Sequence, residues 1–584
     1  MKRLICILSI ASLVLAARCH SATAAAPLEA FPDTVAVVIR FESVDRFVGS
    51  VHEMLGAISP GAAAAASEFE GEVIGEMLEL DDRTEAIDRK APAMLAVFPI
   101  EVGGPPSAVV VKTNDIAALR RAVLRVGEDV ALREEALDNG FTRYEHNGQS
   151  LFVAKWNEYW IYTKRAEVAD AMNLKSENRR TMADVLDMRA RAVFDGGDAA
   201  LAVNSAHLAV KFKTQIEGAR QQIFTSIDAL PEEQLGNNAE VARKIYKDMT
   251  GIAFDALFDS TWAVGHVKLT AEGGQVEALA GVRAETKTDR LLAENPTLPL
   301  ETLGLLPAEA PIYMGLAVDY ARFLDTWTRT AYLATAADKE EAEAAAKQMQ
   351  QAKVRSSVVS YALPEKEGAG IAVCTLQEAD DAGKVRGAFL RFLKAAGENK
   401  TPLFSMSFDV KEKVEQYKQH SIDIMAMKFK FLGEGEQAAF SAFYDSLFGG
   451  EALQTRLSTV GPLFVEATGN DPAQMHRLLD GVTDGEGVVA LEETYGKTRD
   501  KLGDEANLMV LIDAPRTVTG FVRLLSRIEI VAVGLRAAPF NFALKPAPSY
   551  SGLSIGGEPQ GLRAKVFVPV EQTRGMLQIF APGL

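Results

Sequence analysis

Residues Gly552-Leu553-Ser554-Ile555-Gly556 match G-x-S-x-G, the turn on which α/β-hydrolases expose a nucleophilic serine. That chemistry needs a strand before the serine, a helix after it and a later histidine to take the hydroxyl proton. Ser554 is followed by Ile-Gly-Gly-Glu-Pro-Gln-Gly, which does not open a helix readily, and the last histidine of the chain, His476, precedes it. The pattern therefore predicts a glycine-rich strand end, with a hydrolase only as the third functional reading. The histidines (His20, His52, His146, His207, His266, His420 and His476) include no HxxxH or HExxH pair, so no zinc site follows from local spacing. Met406, Met425 and Met427 offer thioethers to a soft metal, but methionine is equally an ordinary core filler. Gly368-Ala369-Gly370 lacks the third glycine of a dinucleotide loop, and no G-x-x-x-x-G-K-[ST] is present. The acidic group Asp480, Asp484, Glu486, Glu492 and Glu493 does not alternate ahead of a glycine as a calcium loop requires. No catalytic residue, metal or other cofactor is assigned, and a non-enzymatic chain is expected.

One group of side chains retains a binding reading. In Lys155-Trp-Asn-Glu-Tyr-Trp-Ile-Tyr-Thr-Lys164, the aromatics Trp156, Tyr159, Trp160 and Tyr162 crowd a hairpin. Strand alternation places Trp160 and Tyr162 on one face, with Tyr159 and Ile161 on the other. Exposed, they would stack on a sugar ring or an apolar ligand; buried, they are cross-strand pairs.

The elements that position these residues recur along the chain. From Phe31, an apolar run Val35 to Phe41 is followed by Ser43, able to cap a helix with apolar residues at Val44, Phe47, Val48 and Val51. From Leu306 the same order returns, with Asp319 as cap and Tyr320, Phe323, Leu324 and Trp327 as the face. From Asp504 it returns again, with Pro515 in the first turn and Val518, Phe521, Val522 and Leu525. Arg46 and Arg322, one position before their phenylalanines, are expected to point away from that face. A weaker copy begins at Asp198, and two strands and a helix follow each start. Asn147-Gly148 and Trp156-Asn157 mark further hairpins. The expectation is an α+β fold of mostly antiparallel sheets, each covered on one face by long helices. Repeated βαββα units form an internal duplication, residues 27–297 and 298–584.

At the N-terminus, Lys2 and Arg3 precede an apolar run from Leu4 to Ala17, followed by small residues to Ala26. This reads as a secretory signal peptide over 1–26 and predicts a periplasmic or extracellular chain. Cys6 and Cys19 fall within it, leaving Cys374 alone in the mature chain, where it can form no internal disulfide. Removal of Lys2, Arg3 and Arg18 leaves 59 basic against 79 acidic residues. That balance excludes nucleic acid as the expected partner, and no later apolar run is long enough to span a bilayer.

The Leu/Phe-Pro-x-x start, the strand, the short polar turn and the amphipathic helix, together with the later Asn-Gly, Phe-Val-Ala and Tyr-Trp-Ile-Tyr strands, resemble a family of exported bacterial proteins known as a domain of unknown function. The resemblance implies export and transfers no site residue. The expected role is a non-enzymatic binding or scaffold protein of the cell envelope, its partner an envelope protein, glycan or apolar ligand. A periplasmic carrier of lipid or another apolar ligand is the alternative.

Overall fold

The computed structural model describes residues 28–580 except 64–73, 81–82, 101–105, 177, 232–238, 309, 318–337, 364–369, 397–398, 401–403, 432–443, 445–446, 449–451, 527–540 and 542–543. The stretch expected to be a signal peptide and the helix expected to carry Phe323 lie outside the described residues. The chain forms two compact units. Unit 1 gathers residues up to Arg220 with Ile252–Arg290 and Pro559–Val570; unit 2 gathers Gln221–Gly251, Leu291–Glu558 and the residues from Glu571.

The strands of the N-terminal part are β1 (Val37–Phe41), β2 (Ala93–Val97), β3 (Ser107–Val111), β4 (Arg133–Ala136), β5 (Thr142–His146), β6 (Gln149–Trp156), β7 (Tyr159–Thr163), β8 (Ala199–Val203), β9 (Ser260–Thr270) and β10 (Gly273–Val282). They are followed by β11 (Ile312–Ala317), β12 (Val354–Ala362), β13 (Ala372–Ala379), β14 (Phe404–Tyr417), β15 (His420–Phe431), β16 (Ala452–Val460), β17 (Leu463–Thr468), β18 (Leu508–Ile512), β19 (Ser551–Glu558) and β20 (Gly561–Pro569). Among the helices are α1 (Val44–Ile58), α2 (Ile116–Leu124), α3 (Met188–Phe194), α4 (Lys213–Asp228), α5 (Ala239–Asp259), α6 (Lys339–Ala352), α7 (Ala382–Ala396), α8 (Ala473–Asp484), α9 (Glu493–Leu502) and α10 (Ala514–Leu525).

Unit 1 has the hydrogen-bonded order β4-β5-β6-β7-β3-β2-β1-β8-β9-β10-β20, every pair antiparallel. Its central strands are apolar on both faces: all five residues of β3 are buried. One face packs Val38, Ala96, Val110 and Ile161 with Val168, Met182 and Phe194, while the other packs Ile39, Phe41, Val109 and Tyr162 with Phe47, Leu119 and Val123. Ser43 caps α1 as its type and position predict, its Oγ accepting from the Arg46 amide at 3.0 Å. The helix buries Val44, Phe47 and Val48, and the Phe47 ring lies 5.3 Å from Phe41.

Unit 2 runs β14-β15-β16-β17-β13-β12-β11-β18-β19, again antiparallel throughout. Matched along the chain, this is the order β4-β5-β6-β7-β3-β2-β1-β8-β9 of unit 1. Small backbone ties recur with it. The Asn204 amide donates to Ala36 in unit 1 and the Asp513 amide to Pro311 in unit 2, at 2.9 and 2.7 Å. Isolated bridges hold Pro32 to Thr181 and Pro307 to Val488.

The expected fold is corrected in three respects. The strands do not form several sheets: they belong to one large antiparallel sheet of 21 strands, counting the two-residue segment Asn399–Lys400, beside a small two-stranded pair. The reason is that the first strand of each βαββα unit would otherwise present an unpaired edge; β1 instead pairs with β8, and β11 with β18, which merges the units. In unit 1 helices cover both faces of the sheet rather than one, as strands apolar on both sides require. Finally, α10 does not bury its expected stripe. Pro515, Thr519, Gly520 and Leu524 face inward, and Phe521 stands 46% exposed. Gly520 explains the rotation, since a Cβ there would lie 2.8 Å from Leu363 Cδ1: the small residues allow the helix to sit close. Arg46 is exposed, away from the buried face as expected, and its Nε donates to the buried Asp198 carboxylate at 2.9 Å. Among the described residues no helix is long and apolar enough to cross a membrane.

Candidate functional site

The β6–β7 hairpin closes at Asn157, whose φ of 55° lies in the left-handed region that asparagine tolerates. Trp156 stands opposite Tyr159, and Lys155 opposite Trp160. The pleat then divides the four aromatics. Tyr159 and the partly buried Trp156 enter the core on one face of the sheet; Tyr162 and the partly buried Trp160 enter the core on the other. Tyr162 donates its hydroxyl to the Leu78 carbonyl, and full burial pushes that hydroxyl well above its ordinary range. The Arg179 guanidinium lies 5.4 Å from the Trp156 ring centre and the Lys155 ammonium 5.8 Å from that of Trp160. The four rings therefore share no single surface.

Ser554 lies inside β19, opposite Met509 of β18, with no strand-to-helix turn around it. Its Oγ donates to the Leu502 carbonyl at 3.0 Å, one of the terminal carbonyls of α9 that have no partner within the helix. The flanking glycines have steric causes. A Cβ at Gly552 would collide with Leu502 and lie 2.8 Å from Thr498 Cγ2, and one at Gly556 would lie 2.8 Å from Thr297 Cγ2. G-x-S-x-G here lets a helix end approach the sheet and gives it a hydroxyl donor.

The corresponding place in unit 1 holds a histidine. Arg40 stands opposite Ala200, Ala200 opposite His266 and His266 opposite Glu277, so these residues form one row across β1, β8, β9 and β10. The row lies beneath the carboxyl end of α3. Arg40 donates to the Phe194 carbonyl at 3.0 Å, and His266 Nδ1 lies 2.6 Å from that of Val193. Cationic and N–H groups at a helix carboxyl end complement its partial negative charge. Arg40 also pairs with Glu42, and Glu277 with Arg563. Sequence reasoning missed this row; charged residues inside otherwise apolar strands were its signal.

The remaining groups are tied into the fold. Burial pushes the Cys374 thiol up to about 12. Asp480 and Asp484 hold the Lys418 ammonium between them at 2.5 Å each, Tyr417 donates to Asp480 at 3.0 Å, and His476 stacks on Tyr417 with ring centres 4.0 Å apart. Met425 and Met427 lie on β15 and Met406 on β14; among the described residues no three or more His, Cys, Asp or Glu side chains gather where they could hold a metal ion.

What faces solvent is an apolar stripe on α5. Tyr246, Met249, Ala253 and Leu257 are all exposed, at 46, 49 and 55% for the three large residues. Their spacing puts them within about 80° of the helix circumference. Sequence reading passed over this stripe, although i, i+3, i+7, i+11 spacing announces it. Compared with known proteins, the chain matches no family model, and neither a curated protein nor a solved structure is significantly similar to it.

Proposed function

We propose that the chain is an exported, non-enzymatic binding or scaffold protein of the bacterial cell envelope, which engages a protein partner through the apolar face of α5. The exposed stripe Tyr246–Met249–Leu257 carries this reading. A lone exposed apolar residue is ordinary, whereas three large ones aligned on one helix form the pattern that amphipathic helices lay into a partner's groove. Export follows from the charged and apolar N-terminal pattern. Support for a non-enzymatic role comes from Ser554 and Cys374, the two side chains nearest to nucleophile chemistry: one is bonded to a helix carbonyl, the other buried with a raised pKa.

The test compares the wild-type chain with a Tyr246→Ser/Met249→Ser/Leu257→Ser variant, cross-linked in the envelope of the producing cell. A discrete cross-linked species that the variant loses, with its circular dichroism unchanged, is the expected result. Equal cross-linking by both proteins would refute the α5 surface. Stoichiometric lipid retained by natively purified protein would favour a carrier instead.

A further inference from the structure

The last strand of unit 1, β20, comes from nearly 300 residues further along the chain than its neighbour β10. The two hold the same place in the repeated order. β10 follows β9 after residues 271–272, and β20 follows β19 after residues 559–560. Counted from those turns, Gly273 corresponds to Gly561, Glu277 to Lys565 and Gly281 to Pro569. The ladder pairs Gly273 with Pro569, Glu277 with Lys565 and Gly281 with Gly561. Exchanging the two strands therefore maps the ladder onto itself. A local two-fold passes through the Glu277–Lys565 pair.

A strand pair of this symmetry has two competitors between separate copies of the chain, β10 on β10 and β20 on β20, with the same register. Charge decides among them. The buried Glu277 stands opposite Lys565 and is paired with Arg563, whose counterpart in β10 is the neutral Gln275. In a β10–β10 pair, Glu277 would face its own copy, and in a β20–β20 pair Lys565 would do so. Like charges directly opposite in a ladder are destabilising, more so when buried. We propose that Glu277 and Lys565 are specificity determinants: opposite charge on the local two-fold selects β10 against β20 and rejects the like-strand pairs, β10 on β10 and β20 on β20, through which two copies would join.

The test uses full-length chains carrying Glu277→Lys, Lys565→Glu or both, unfolded in urea and refolded, then read by thermal melting and by size-exclusion chromatography with light scattering. Each single variant is expected to melt lower than wild type. The double variant should recover much of the loss, though not all, because Arg563 keeps its charge. An equimolar mixture of the two single variants refolded together should yield a dimer that neither gives alone, since each reversed position is matched by the other chain. Should reversal prevent folding, the neutral pair Glu277→Gln/Lys565→Gln keeps the shape and removes the discrimination, and it should refold as a monomer–dimer mixture. The proposal is overturned if the double variant loses as much as the two singles together, if the mixture gives no dimer, or if the neutral pair refolds wholly as wild type does.

Discussion

Replacing Ser554 by alanine separates a nucleophile from a helix clamp. The hydroxyl is buried and, among the described residues, donates to the Leu502 carbonyl at 3.0 Å, at the end of α9. Its removal leaves that carbonyl short of a partner, which costs about 1–2 kcal/mol. That is a factor of roughly 5–30 in the equilibrium for local opening. A readout local to α9 isolates the effect, whereas a global midpoint averages over both compact units. Native-state hydrogen exchange of the α9 amides reads it directly and should show the loss of protection there, with the amides of β1 to β3 unchanged. Gly552→Ala should weaken the same helix by about 1–3 kcal/mol through overpacking against Leu502 and Thr498. A fluorophosphonate probe should leave the folded wild-type chain unlabelled. Labelling that disappears in Ser554→Ala, or α9 protection that the substitution leaves untouched, would refute the clamp.

Phe47→Ala should lower the stability of unit 1 by about 3–5 kcal/mol through lost burial and a cavity beside Phe41, whereas Phe521→Ala, at a half-exposed ring, should cost under about 1 kcal/mol; hydrogen exchange of the adjoining strands checks both. Arg46→Ala should cost about 1–3 kcal/mol by the same readout, more than a surface arginine, because it strips a partner from the buried Asp198. Cys374 should resist iodoacetamide at about pH 8 until denaturant is added, its thiol lying far above that pH, and stoichiometric labelling of the folded chain would contradict this. Burial raises the Glu466 carboxyl above its ordinary 4.5, against the lowering by the Thr468 hydroxyl. The folded state thus favours the neutral form, and ionisation costs stability once pH exceeds the raised value. Glu466→Gln should therefore stabilise β17 at neutral pH, with the gain vanishing as pH falls below 4.5, as urea titrations at several pH values would show.

Features governed by neighbours a few residues apart were legible in the sequence. Ser43 caps α1, and Asn147 and Gly148 turn with φ of 48° and 78°, because those residues determine their own backbone geometry. The face of α1 was legible for the same reason, as large apolar residues at helical spacing have one way to be buried. The face of α10 was not. There the deciding residues are small: Thr519 and Gly520 allow close approach, and an apolar stripe carries no record of how near a neighbour comes. Arg46 lies off the apolar face as read, but its ion pair was hidden by the same kind of gap. Its place on the helix is local information, but Asp198, its partner, lies 152 residues away.

The pairing of β1 with β8 and of β11 with β18 follows from the same consideration at a larger scale. Alternation and turn residues specify hairpins, and each βαββα segment can be written from them, but a hairpin leaves two rows of backbone donors and acceptors open. Strand β1 is buried on both faces, so water cannot serve as its second partner, and it must be bordered by strands on both sides. The first strand of another unit, with matching length, meets that condition: β8 pairs residue for residue with all five positions of β1. In β11 buried residues alternate with partly buried ones, and its second edge is bordered by β18 over five residues. The joining of β1 to β8 is thus the consequence of a strand apolar on both sides, a property already written in Val37–Phe41, whereas the choice of partner strand, there and at β11, is set by long-range pairing that no local pattern records.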